Sequence, residues 1–226
     1  MKLTDGLSIT SRHASHPQRE EPLQAYRSCY VLVKMVVALE RSSLLSATPV
    51  RLFFSIFPDA PAAARIAQVA RDLRCRHRLK GQPLLTTRFH SSLYGFDRCA
   101  SASLAVRAKA REAAALVTAP PFRVSFNCAK GFSGREGNHP LVLTGDDGVV
   151  GLTMLYASLC TALRAVGFRP VASSAFTPHV TLLYDARRIN EQEIKPIDWT
   201  VREFVLVLSL EGRTKHIPLG RWQLRG

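Results

Sequence analysis

Two histidines in this chain are each followed two positions later by a hydroxyl residue: His90-Ser91-Ser92 and His179-Val180-Thr181. An imidazole titrates near neutrality, so one copy can accept a proton while another gives one, and hydroxyls can donate to anionic oxygens. Hydrolysis of a cyclic phosphodiester needs a base for water, an acid for the departing oxygen and donors for the non-bridging oxygens. Two histidines and two hydroxyls supply that set. A strained ring whose leaving oxygen is protonated requires no metal and no cofactor. The pattern is short, and His13-Ala14-Ser15 matches it too, inside a polar N-terminal stretch. His90 and His179 must therefore be distinguished by the elements that carry them; otherwise each is an ordinary sheet histidine.

Side chains alternate along a strand, so His90 and Ser92 share one face of a predicted strand over residues 87–96, about 7 Å apart, with Phe89, Ser91 and Leu93 opposite. In a second predicted strand, residues 177–184, His179 and Thr181 share a face while Val180 and Leu182 point toward helices. The spacing in each motif fits a phosphate between imidazole and hydroxyl. An amphipathic helix precedes each strand. The first is capped by Asp59, has Pro61 in its first turn and carries Ile66, Val69, Ala70 and Leu73 on one face. It closes on Arg71, Arg74, Arg76, Arg78 and Lys80 before Gly81, a cluster that reads more readily as a solvated helix end opposing the dipole than as an RNA contact. The second presents Leu155, Leu159, Leu163 and Val166, with Gly167 as its stop and Pro170 beyond.

Further strands are expected over residues 51–57, at Phe122, Val124 and Phe126, over 141–143 and 204–210, and through Ile217 and Leu219 after a turn at Glu211-Gly212. An alanine-rich helix over 100–117 ends before Pro120-Pro121. The polar loop over 131–138 has glycines suited to a phosphate cradle but lacks the Lys-Ser/Thr of a P-loop. Each half of this strand and helix order holds one histidine motif, a coarse internal echo.

The 226 residues are 46% hydrophobic, enough for a sizeable core. A net charge of +14 and a pI near 10.3 favour polyanionic partners, nucleic acid ahead of membrane. Of the 31 basic residues 24 are Arg, whose planar fork suits phosphate, although an arginine-favouring codon bias gives the same excess. The five cysteines are scattered without a C-x-x-C pair, which argues against a disulfide framework or structural zinc. Residues 1–48 lack a sustained period and are expected to be a flexible extension of a folded domain over 49–226. No secretory signal is evident and the apolar run from Tyr30 to Leu39 is short and broken by Lys34, so a cytoplasmic monomer is expected. His16, His77, His139 and His216 read as structural or surface groups, and Phe53, Phe54, Phe57 and Trp222 as core.

Over residues 51–224 the chain resembles the two-histidine (2H) phosphoesterases, specifically the RNA 2′,3′-cyclic phosphodiesterases historically called 2′-5′ RNA ligases. The resemblance rests on Arg51-Leu-Phe-Phe-Ser-Ile-Phe-Pro-Asp59, Arg88-Phe-His-Ser-Ser-Leu-Tyr-Gly-Phe96 and Phe176-Thr-Pro-His-Val-Thr-Leu-Leu-Tyr-Asp185. It implies an α+β fold of two pseudo-symmetric lobes of antiparallel sheet backed by helices, with the motif strands facing across a central cleft, and the strand and helix order agrees with it. It further implies that His90 protonates the leaving oxygen, that His179 activates water, that Ser92 and Thr181 bind the phosphate, and that the product is a 2′-phosphate. Ser92 stands where the family usually has threonine, and Tyr184 where many members carry an arginine; Arg88 is a candidate to supply that charge. The implied partners are RNA ends or small cyclic nucleotides. Reverse 2′-5′ ligation uses the same acid and base. A basic protein that binds RNA ends without turnover, or a cyclic phosphodiesterase for a small nucleotide, are the alternatives.

Overall fold

Leu52, Phe54 and Ile56 alternate with exposed Arg51 and half-buried Phe53 along the first strand, and that period of two sends one face into the core. The computed structural model describes residues 50–97, 101, 103–170, 176–210 and 215–226. The expected extension over 1–48 and the turn at Glu211-Gly212 lie outside them. Two four-stranded antiparallel sheets form the framework. In the first, β1 (Val50–Ile56), β2 (Ser91–Gly95), β7 (Glu203–Leu210) and β8 (Lys215–Gln223) lie in the order β2-β1-β7-β8. In the second, β3 (Phe122–Gly131), β4 (His139–Thr144), β5 (Val180–Asp185) and β6 (Gln192–Val201) lie in the order β5-β4-β3-β6. Buried side chains of both sheets join one core cluster.

Local chemistry accounts for the helices. α1 (Ala60–Arg76) starts where Asp59 accepts the Ala62 amide at 2.8 Å, and it buries Ile66, Ala70 and Leu73 against β5 and β6. It stops at Arg76, short of Gly81, because Arg78 takes the left-handed conformation that ends a helix, with φ 50°. α2 (Leu104–Ala115) is capped by the Ser103 hydroxyl. α3 (Val150–Ala165) buries Leu152, Leu155, Leu159 and Leu163, and Gly167 at φ 90° follows its end as expected. Residues 147–165 are long and apolar enough to cross a membrane by composition, but those leucines are packed in protein.

The two-lobed α+β expectation holds, with three corrections. The lobes are not sequential halves: the first sheet takes strands from both ends of the folded region and the second sheet takes the middle. Both motif strands begin one residue after their histidine, at Ser91 and Val180, the first behind a 3-10 turn at Thr86–Arg88. β6 is absent from the sequence expectation, because Pro196 and three charged residues mask the alternation of buried Ile197, Trp199 and Val201; as an edge strand it tolerates the proline.

β2 and β5 are edge strands of different sheets and touch one another, so the residues just before them are brought together. The approach to this contact is strapped down. Leu84 donates its amide to the Leu182 carbonyl at 2.8 Å, and buried Asp185 accepts the Lys80 and Gly81 amides at 2.6 and 2.7 Å and the Arg187 amide at 2.9 Å. Burial works to raise the Asp185 pKa, but those three amides and the Arg187 charge outweigh it and hold the carboxyl below its usual range. A carboxyl with a depressed folded-state pKa stabilises the fold above its unfolded pKa and ceases to do so as pH falls through the folded value. Asp185→Asn is therefore expected to cost about 1–3 kcal/mol at neutral pH, with the gap to the unsubstituted protein closing in acid, as read by urea denaturation across pH.

Candidate active site

The same local device holds both motif histidines. His90 follows the 3-10 turn and its Nδ1 lies 2.7 Å from the Arg88 carbonyl; His179 follows Pro178 and its Nδ1 lies 2.8 Å from the Thr177 carbonyl. A carbonyl only accepts, so each Nδ1 carries hydrogen and donates, leaving Nε2 of each ring to exchange protons with a ligand. The motifs are alike in what surrounds them. Phe89, Ser91 and Leu93 are buried, as are Val180 and Leu182, whereas Ser92 and Thr181 are partly exposed, which is the facing the alternation predicts.

Burial lowers the His90 pKa, partly offset by its bond to the Arg88 carbonyl, and the charges of Arg88 and His179 lower it further. His90 and His179 are thus within electrostatic reach of one another. Beside His179 opens a cleft of about 650 Å³, lined on one side by Ser92, Tyr94 and Phe96 and on the other by Phe132, Thr177 and His179; His90 stands two residues before Ser92, outside the lining. Arg169 and stacked Tyr156 and Phe176, 4.1 Å between ring centres, close its far end.

The remaining sequence candidates divide. Ser92 lines the cleft, and Thr181 stands on β5 two residues beyond His179. Arg88 lies in the 3-10 turn and not on the strand with His90, yet its charge acts on His90 and its Nε is buried without a hydrogen-bond partner. Tyr184 is 46% exposed and outside the residues that line the cleft. His216, a structural or surface group by sequence, instead packs edge-on against His90 with 5.1 Å between ring centres. Phe53 and Phe57 complete the wall around His90, at 5.1 and 6.0 Å, so of the expected core phenylalanines only Phe54 is fully buried. The alternation of Ile217 and Leu219 toward the core places His216 on the other face; that it reaches His90 depends on pairing in the sheet, which no local pattern carries. Irregular register in the β1–β2 and β7–β8 pairs, which bends strands, accompanies this convergence. Among the described residues no three His, Cys, Asp or Glu side chains converge in a way that would hold a metal ion.

Residues 57–213 match the model of the 2'-5' RNA ligase superfamily, well over half of the chain. The chain belongs to this superfamily. Structures similar to this superfamily member include LigT of E. coli complexed with NADP+, at 25% identity and a TM-score of 0.56, covering 78% of this chain and 98% of LigT. A protein described as a phosphoesterase is 25% identical with a TM-score of 0.58, covering 79% of this chain and all of that one. The protein TT0787 of Thermus thermophilus, at 19% identity, shares the fold with a TM-score of 0.61 over 78% of this chain and 98% of its own. No curated protein sequence matches the chain.

His216 offers a check on this geometry. Burial, with the nearby His90 and Arg88 charges, lowers its pKa from 6.5 to about 4. The unfolded chain then takes up this proton near pH 6.5 while the folded protein resists until about pH 4, so stability falls as pH drops through that window. His216→Phe is expected to make the acid loss of stability between pH 6.5 and 4 shallower, as measured by denaturant unfolding at each pH.

Proposed function

We propose that this protein is a phosphoesterase that opens 2′,3′-cyclic phosphates at RNA ends by paired histidine acid and base catalysis. The observation that carries the reading is the matched pair of imidazoles, each with Nδ1 tied to the carbonyl two residues back, at the start of touching edge strands, with His179 and the first motif's Ser92 lining one cleft. His179 Nε2 accepts a proton from water, whose oxygen attacks phosphorus. The bond from phosphorus to the ribose 3′ oxygen breaks, and that oxygen takes the proton of His90 Nε2. The product is a 2′-phosphate and a free 3′-hydroxyl, with the proton returned through solvent. Ser92 and Thr181 donate to the non-bridging oxygens, Arg88 supplies positive charge, and exposed Tyr184 serves the nucleotides beyond the reacting end. With the 5′-hydroxyl of a second RNA in place of water, the same proton transfers break the bond from phosphorus to the 3′ oxygen and form a 2′-5′ phosphodiester, a step that is reversible. A cleft of about 650 Å³ walled by aromatic rings suits one nucleotide, and the similar LigT was crystallised with a dinucleotide, NADP+.

His90 must be protonated to act as the acid, whereas burial favours its neutral form. An anionic phosphate beside the ring reverses that preference. Binding of inorganic phosphate near pH 7 is therefore expected to take up protons, measured by calorimetry in buffers of different ionisation heat, and His90→Ala is expected to remove most of that uptake. In EDTA, an oligonucleotide ending in a 2′,3′-cyclic phosphate should be converted to the 2′-phosphate. Either His90→Ala or His179→Ala is expected to slow this by roughly 10²–10⁴-fold. Undiminished turnover in both variants rejects the reading.

A further inference from the structure

α1 and the segment after it, from Asp72 to Asp97, contain no carboxylate between those two residues, while Arg74, Arg76, Arg78 and Lys80 crowd its first part. Arg74 and Arg76 lie in the last helical turn, where the helix dipole alone accounts for them. Arg78 and Lys80 lie beyond it. The structure brings a second basic segment, Arg187-Arg188, against this one from more than a hundred residues away. Arg187 donates to the His77 carbonyl at 3.1 Å, Arg76 donates to the Gln192 side chain at 3.4 Å, and the Lys80 and Gly81 amides bind Asp185.

The joined segments carry a charge that is largely uncompensated. Arg76, Arg78, Lys80, Arg187 and Arg188 are exposed, and among the described residues Arg76, Arg78, Lys80 and Arg188 form no ion pair. A hollow of about 370 Å³ opens between His77, Arg187, Arg188 and Gln192; its one carboxylate, Glu191, is paired with Lys130 at 2.9 Å. Arg78 holds a left-handed backbone, φ 50°, at a position that glycine adopts freely and that costs a residue with a side chain about 1 kcal/mol. The backbone turn at Arg78 closes α1, a task glycine performs without that cost, and the Arg78 side chain shows no hydrogen bond or ion pair among the described residues.

We propose that this basic face is a second RNA-binding surface that holds the backbone of a single strand whose reacting end lies in the histidine cleft. The inference rests on the reading above for the reacting end and narrows the substrate to an RNA chain. β5, Val180–Asp185, leads from beside His179 at the cleft to Asp185 at the patch, about 20 Å of extended chain. At roughly 3.4 Å per phosphate along one stacked strand, that distance spans about six nucleotides. Tyr184, exposed, stands on the same strand just before the patch. A mononucleotide or trinucleotide fills the cleft without reaching the arginines, whereas a dodecamer engages both.

The test is binding of a single-stranded RNA dodecamer ending in an ordinary 3′-hydroxyl, by fluorescence anisotropy across a salt series, to the full chain and to Arg76→Ala/Arg78→Gly/Lys80→Ala. Arg78→Gly suits the left-handed backbone, Lys80 bonds through its amide alone, and Arg76→Ala gives up one long, exposed bond to Gln192. Arg78→Gly by itself, with a thermal melt, guards against unfolding in the triple variant. The surface is supported if the triple variant binds the dodecamer about tenfold or more weakly at moderate salt with a salt slope lower by about 0.7 for each lost phosphate contact. A trinucleotide should bind both proteins alike, and turnover of a 2′,3′-cyclic mononucleotide should be unchanged. Unaltered dodecamer affinity and slope in both variants, or equal losses for trinucleotide and dodecamer, overturn it. Because a hydroxyl-ended RNA requires no turnover, absence of cyclic phosphate hydrolysis together with a weakened dodecamer would sink the catalytic reading and leave the surface standing.

Discussion

Two hydrogen bonds of nearly equal length, from His90 Nδ1 to the Arg88 carbonyl and from His179 Nδ1 to the Thr177 carbonyl, decide which nitrogen of each ring is free. The rest of the cleft depends on that constraint. Each histidine sits just before its edge strand, where its ring reaches the carbonyl two residues back, and the hydroxyl residue two positions on is partly exposed. Edge strands are otherwise open to unwanted pairing. Here β2 and β5 lie against one another, and the segment through Leu84 covers part of β5.

Around these rings the protein sets burial against charge. His90 is packed by Phe53, Phe57 and His216, surroundings that favour neutral imidazoles, while Arg88 adds positive charge beside them. These surroundings disfavour the imidazolium; on the proposed reading, a phosphate beside the ring would meet the unpartnered Arg88 Nε and relieve the penalty on a charged His90. A chain of net charge +14 need not place a cation on every reacting group to attract RNA.

Much of this is legible in the residues alone. The cap at Asp59, the apolar faces of α1 and α3 and the stop at Gly167 are local signals, and the structure keeps them. The facing of Ser91, Leu93, Val180 and Leu182 toward the core follows from alternation. Most of the differences share one cause, contacts distant in sequence. The entry of His216 into the site depends on sheet pairing and bent strands, and the interleaving of chain ends in the first sheet leaves no local trace. β6 hides behind Pro196 and its charges because an edge strand is freed from the rules of a central one. Gly81 is the residue type that usually ends a helix, yet Arg78 takes the left-handed turn and closes α1 earlier.

The central claim is that one phosphate is shared between the two free Nε2 atoms. A crystal structure of the protein soaked with inorganic phosphate tests it most directly. The account predicts a single anion within about 2.6–3.2 Å of both His90 Nε2 and His179 Nε2. An anion bound to one ring alone, or rings that cannot both reach the same oxygen-bearing group, would contradict it.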